Sequence, residues 1–157
     1  MLVISHRGNL SGPNEDAENQ SFYIKRALEK CDFVEVDIWI KNGIIKLGHD
    51  KPQHAFDLDL LNNLKIIWHA KTLEALKYLK SNKLHYFFHD KDEYTITSHG
   101  FIWAHPTARN FEGCICVMPE QAYGKDFINK DYNGFLGICT DYPIYFMNKI
   151  SHKENSI

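Results

Sequence analysis

No stretch of this 157-residue chain approaches the ~18 consecutive apolar residues of a membrane span, so a transmembrane helix is excluded at the level of sequence. Basic charge is not in excess either. Eighteen Lys and Arg face twenty Asp and Glu, for a net charge of −2, which argues against a general nucleic-acid binder. The four cysteines, Cys31, Cys114, Cys116 and Cys139, form no Cys-x-x-Cys pair. Cys114 and Cys116 would share one face of a strand, which is not a zinc spacing. They read as small buried apolar residues in a reduced protein. The opening apolar run, residues 1–4, is too short for a signal peptide, and a cytoplasmic location is the resulting expectation. Internal repeats, low-complexity runs and linkers are absent. One domain over residues 1–150, with a polar, frayed tail over 151–157, is therefore expected.

What is present is a globular composition, 44% apolar and 13% aromatic. Residues 1–4 read as a short buried strand, and residues 18–30 as a helix. Residues 33–40 alternate sharply: Val34, Val36, Ile38 and Ile40 point one way, Glu35, Asp37 and Trp39 the other. Lys41-Asn42-Gly43 is a tight-turn signal, so residues 44–47 should return as a hairpin partner. Residues 64–68 and 84–88 read as core strands, with a helix capped by Thr72 between them. Residues 94–96 and 101–103 flank a second hairpin turn at Thr97-Ser98-His99-Gly100. Further strands are expected at 114–118 and 135–139. Little room remains for helices beyond Ser81, so a full barrel of eight strand-helix units cannot fit.

Ionisable residues collect near predicted strand ends. His6 and Arg7 end the first strand, and Gly8 lets backbone approach a ligand closely. Glu35 and Asp37, two apart, project from one strand face about 7 Å apart. An ordinary solvent-facing strand has the same pattern. Trp39 on that face, and a β-branched opposite face suited to packing under helices, favour a buried acidic pair. His49-Asp50 ends the hairpin that follows. Taken alone, His6 is as readily a core histidine and His49-Asp50 a common turn. Together these groups suit phosphodiester cleavage, in which a cation held by carboxylates neutralises phosphoryl oxygens and histidines move protons.

In this order, His6-Arg7-Gly8, Glu18-Asn19, Glu35-Val36-Asp37, Lys41-Asn42-Gly43, His49-Asp50 and Gly137-Ile138-Cys139-Thr140-Asp141-Tyr142-Pro143 resemble the glycerophosphodiester phosphodiesterase family of phospholipase C-like barrels. The resemblance covers residues 1–50 and 134–143. It implies a reduced, incomplete TIM-barrel-like (β/α) domain with hairpins replacing some helices. It also implies His6 and His49 as the acid–base pair, with Arg7 and Lys71 on the substrate phosphate. Glu35, Asp37, Glu18 and His69 would hold one divalent cation, Mg²⁺ or Ca²⁺, with Mn²⁺ a further candidate. The implied substrate is a small-molecule phosphodiester of glycerol or a related polyol or sugar.

Two departures stand out. His69, before Lys71, occupies the place where the family carries a carboxylate. The segment that shapes the family's glycerol pocket is missing between Asp50 and the next strand. They favour a rival reading, a non-catalytic phosphate-ligand-binding protein. His89 and Asp90 follow a strand whose face includes His85 and Phe87, so they could reach the site. His54, His99, His105 and His152 are read as structural or surface residues, and Glu120 as a candidate for the pocket mouth. Sheet flanks left uncovered beyond Ser81 imply a homo-oligomer.

Overall fold

The computed structural model describes residues 1–105 and 112–154. The alternating segment is its organising element. Strand β2 (Phe33–Lys41) is occupied along both edges. Its first half lies between parallel β1 (Leu2–His6) and parallel β5 (Ile66–Ala70). Its second half turns through Asn42 and Gly43, both at positive φ (53° and 74°), into antiparallel β3 (Ile44–Leu47). That conformation is what a tight right-twisted hairpin requires. β3 pairs with β4 (His54–Ala55), and the outer edge of β5 with β6 (Tyr86–Phe87). On its other side β1 leads to β10 (Gly137–Thr140), β9 (Ile115–Val117) and β8 (Ile102–Ala104), all parallel. The sheet ends at β7 (Tyr94–Ile96), antiparallel to β8.

The expected reduced TIM-barrel-like fold is therefore corrected. The described residues form a mixed, strand-dominated half-barrel with four short helices: α1 (Ser21–Leu28), α2 (Leu73–Ser81), α3 (Pro119–Tyr123) and α4 (Pro143–Glu154). The physical reason lies in the connections. An antiparallel pair needs no crossover helix, and the short stretch between Phe87 and Tyr94 leaves no room for one. The turn of the β7–β8 hairpin touches β6 through Ser98 N–H to the Tyr86 carbonyl (2.7 Å), but through a turn rather than a strand ladder.

Helix limits also differ from expectation. α1 begins at Ser21, not residue 18, because Asn19 takes a left-handed conformation (φ 60°). α2 is capped as expected, with the Thr72 hydroxyl accepting from the Ala75 N–H. α4 was not expected, yet Pro143 at its first turn is a helix-start signal. Part of the tail expected to fray belongs to α4, and residues 155–157 lie outside the described residues. Among the described residues, no helix is long and apolar enough to cross a membrane.

Strand parity sorts side chains into three cores. Val34, Val36, Ile38, Ile66 and Trp68 pack beneath α1 and α2. Val3, Cys116 and Ile138 pack with Phe146 of α4. The concave face gathers Ile4, Ile67, Phe87, Trp103, Ile115 and Cys139, one from each of six strands. Each fully buried large side chain contributes roughly 1.5–3 kcal/mol.

His85 stitches the two edges of this half-barrel together. It is 5% exposed and its Nε2 lies 2.8 Å from the Thr97 hydroxyl in the β7–β8 turn. Its ring stacks on His99 at 4.2 Å, with Phe33 and Phe101 edge-on. Burial, helped by His99, pulls its pKa down to about 4. A depressed imidazole pKa means the unfolded chain binds more protons below its own value of about 6.5, so stability falls as pH drops from there towards 4. The expected loss between pH 7 and pH 5 is of order ~1 kcal/mol after allowance for screening. Urea midpoints at the two pH values should show it, and His85→Gln should flatten that slope; an equal slope in both proteins rules the coupling out.

Candidate functional site

The site continues the inner face of the half-barrel. His6 follows Ile4 by two residues on β1, and His69 follows Ile67 on β5; the apolar cluster is thus the floor and the ionisable groups lie above it. Glu35 and Asp37 share that parity on β2. Register sets Glu35 beside His6 and Asp37 beside His69. A cavity of about 510 Å³ opens over these residues, with Arg7, His49, Lys71, His89, Asp90 and His105 on its walls.

Two glycines shape the approach. At Gly8 (φ 89°) a Cβ would meet Tyr23 and the Ile24 backbone at 3.0–3.1 Å. At Gly48 (φ 143°) it would collide with the Lys51 carbonyl at 2.3 Å. Gly8 lets Arg7, itself left-handed at φ 53°, fold back over the strand ends; Gly48 delivers His49 to the cavity.

Asp37 is 0% exposed and is held from several sides. Asn19 Nδ2 donates to its Oδ2 (2.9 Å), while its own backbone N–H donates to Asn19 Oδ1 (2.9 Å). Arg7 Nε lies 3.1 Å from Oδ2; His69 Nδ1 and Lys71 Nζ lie 3.0 and 3.5 Å from Oδ1. Burial alone would raise the pKa of this carboxyl, but His69, Arg7 and Lys71 outweigh it and hold the group well below the ordinary carboxylate range.

Each proposed acid–base histidine has a carboxylate on Nδ1. His6 Nδ1 lies 2.7 Å from Asp141 Oδ1, and its Nε2 lies 3.9 Å from Glu35 Oε2. His49 Nδ1 lies 2.7 Å from Asp50 Oδ1 on a more open loop. Their environments pull apart. Burial lowers the His6 pKa, but the Asp141 bond and the Glu35 charge outweigh it and the net shift is upward. Burial and the Arg7 charge shift His49 downward.

His69 takes no side in that pair. Its ring packs against Phe87 (4.6 Å, 14°) and His89 (5.0 Å, 15°), which lie side by side on and just after the neighbouring strand β6, with Nδ1 towards Glu35 Oε1 (3.5 Å) and Asp37. Burial lowers its pKa, and the two carboxylates reverse this to a net rise. One ligand atom each from Glu35, Asp37 and His69 lies within 4.8 Å of the others, a span one ion could fill. Glu35 Oε2 and Asp37 Oδ1 are buried without an aligned hydrogen-bond donor. Asp37 Oδ1 has only the charges of His69 and Lys71 beside it, and Glu35 Oε2 only the distant His6 ring; buried oxygens paired this imperfectly fit a cation.

Of the sequence-derived residues, His6, Arg7, Glu35, His49, His69 and Lys71 line one cavity, and Asp37 lies beneath it. Glu18 does not line it. Its carboxylate accepts from Arg7 (3.1 Å) and Asn9 (2.8 Å), which fixes the arginine and leaves it outside the three-residue metal group. Glu120 is not at the mouth either. It sits behind β10, accepting from the Thr140 hydroxyl and the Asp141 N–H (2.7 Å), and burial raises its pKa. Sequence reasoning missed the roles of Asn19, Asn9 and Asp141, although Asn19 and Asp141 stood inside the quoted motifs. His105, read as structural or surface, lines the cavity.

No family model, curated protein or solved structure matches this chain.

Asp141→Asn tests the His6 dyad. In chelator-treated protein the His6 pKa should fall, because burial remains while the charge-assisted bond is lost. NMR titration of the ring Cε1–H reports it, and an unmoved His6 resonance contradicts the assignment. A raised imidazole pKa also stabilises the fold below its unfolded value and loses that contribution as pH rises through the folded one, so Asp141→Asn should cost more stability at pH 5 than at pH 8.

Proposed function

We propose that this cavity binds a small phosphodiester and cleaves it, with His6 and His49 as the acid–base pair and Arg7 and Lys71 on the phosphoryl oxygens. The observation that carries the reading is two imidazoles, each oriented by a carboxylate on Nδ1, on the walls of one cation-lined cavity. The resemblance of the motifs to the glycerophosphodiester phosphodiesterase family points to the same substrate class, a phosphodiester of glycerol or a related polyol or sugar.

The carboxylates on Nδ1 turn Nε2 of each ring towards the reacting groups. One imidazole removes the proton of a hydroxyl, from the substrate's own alcohol or from water, as its oxygen forms a bond to phosphorus. The other, as imidazolium, gives its proton to the departing oxygen as the second P–O bond breaks. Arg7 and Lys71 offset charge on the non-bridging oxygens. A divalent cation held by Glu35, Asp37 and His69 would supply Lewis-acid polarisation of a phosphoryl oxygen. Asp141, Asn9 and Glu18 hold His6 and Arg7 in place.

One observation favours a second reading. Arg7, Lys71 and His69 already offset the Asp37 charge without a metal ion, so Arg7 and Lys71 can hold a phosphate ligand without turnover. A screen of generic phosphodiesters with added divalent metals separates the two. Catalysis predicts turnover that His6→Ala and His49→Ala each lower by at least ~10²-fold and that chelation abolishes without unfolding. Ligand binding without turnover supports the binding protein instead.

Self-association belongs to the same reading. On the β7–β8 hairpin Ile96 is 64% and Ile102 42% exposed, and the two are paired in register. Such a flank is costly in water, and we expect a homo-oligomer that covers it. Light scattering at micromolar concentration should return more than the monomer mass, and Ile96→Lys should restore the monomer.

A further inference from the structure

The donor atoms beneath the cavity are not those of an alkaline-earth site. Hard ions such as Ca²⁺ and Mg²⁺ take oxygen ligands, and charge supplies most of their binding. Here only two residues bring carboxylate oxygen, and Asp37 shares its charge with Arg7 at 3.1 Å and Lys71 at 3.5 Å. An ion attracted by charge alone meets an acidic group already largely offset. The third donor is nitrogen. His69 Nδ1 sits 3.5 Å from Glu35 Oε1 and 3.0 Å from Asp37 Oδ1. The Phe87 and His89 rings back the His69 ring from the neighbouring strand while Nδ1 faces both carboxylates, so its nitrogen is aimed before any ion arrives. A preset imidazole is a strong donor to first-row transition ions and a poor one to Ca²⁺ and Mg²⁺.

Glu35 is 3% and Asp37 0% exposed, and each keeps one oxygen without an aligned donor. The pocket is thus incomplete as a purely hydrogen-bonded cluster. We propose that Glu35, Asp37 and His69 form a site selective for a first-row transition ion of the Mn²⁺, Co²⁺ or Zn²⁺ type, with His69 setting the selectivity. This rests on the reading of the cavity as a metal-assisted phosphodiester site and specifies its cofactor. His69 is then a ligand rather than a contact to substrate phosphate.

Metal binding, measured without substrate, tests it. Metal-stripped protein is titrated calorimetrically with Mn²⁺, Co²⁺, Zn²⁺, Mg²⁺ and Ca²⁺, beside His69→Glu and His69→Gln. Transition ions outbind alkaline-earth ions at many sites, so the change on substitution is what decides. Wild type should bind Co²⁺ and Mn²⁺ stoichiometrically. Both variants should lose at least ~10-fold of the Co²⁺ affinity, and His69→Glu should gain affinity for Mg²⁺ or Ca²⁺. His69→Gln keeps the conclusion testable if the extra buried carboxylate prevents folding, which circular dichroism reports. Pulsed EPR of bound Mn²⁺ should show coupling to one directly bonded ¹⁴N in wild type and none in the variants. If wild type and variants titrate alike, or no nitrogen couples, the selectivity is overturned while a metal site stands. If none of the five ions binds, the metal falls from the functional reading as well.

Discussion

Asp37 is the constraint around which the rest is arranged. A carboxylate with no exposure is unfavourable by several kcal/mol unless it is paired and hydrogen-bonded, roughly the cost of breaking a buried ion pair. Four side chains from three elements meet that need. β1 and its turn deliver Arg7, the loop before α1 delivers Asn19, and β5 and its end deliver His69 and Lys71. Two of the residues involved, Arg7 and Asn19, adopt left-handed backbone to do so. The shape of the chain before α1, including the late start of that helix, follows from the need to surround one charge.

The same arrangement explains why an apolar floor and a polar cavity coexist in so small a domain. Side chains alternate along a strand, so one inner face passes from Ile4 to His6 and from Ile67 to His69 within two residues. The lower layer excludes water, and the upper layer gains from the lower effective dielectric above it. The Phe87 ring serves both layers, packing with Trp103 below and against His69 above. The structural core and the candidate chemistry are therefore one continuous packing problem.

Much of this could be read from local patterns. The alternation in residues 33–40 gave the buried pair, and Asn42-Gly43 gave the hairpin that brings His49 back over it. The order of His6-Arg7, Glu35/Asp37 and His49-Asp50 identified residues that do gather around one cavity. Local patterns failed where long-range pairing decides. The β7–β8 hairpin was visible, but not that its antiparallel placement leaves a strand-dominated half-barrel. α4 was overlooked although Pro143 announced it. The resemblance implied Glu18 in the metal shell, whereas in the structure its oxygens accept from Arg7 and Asn9.

By itself, the sequence determined what depends on near neighbours along the chain: strand parity, turn chemistry, the Thr72 cap, and which strand ends carry histidine, arginine and carboxylate. Only the tertiary structure decided which of those groups share a partner. Asp141 reaches His6 across 135 positions because β10 lies beside β1, and His69 reaches Asp37 because β5 lies beside β2 in that register. His105 joins the cavity wall because the sheet curves. Periodicity is set by a few adjacent backbone angles, whereas these encounters depend on how strands far apart in sequence pair and bend.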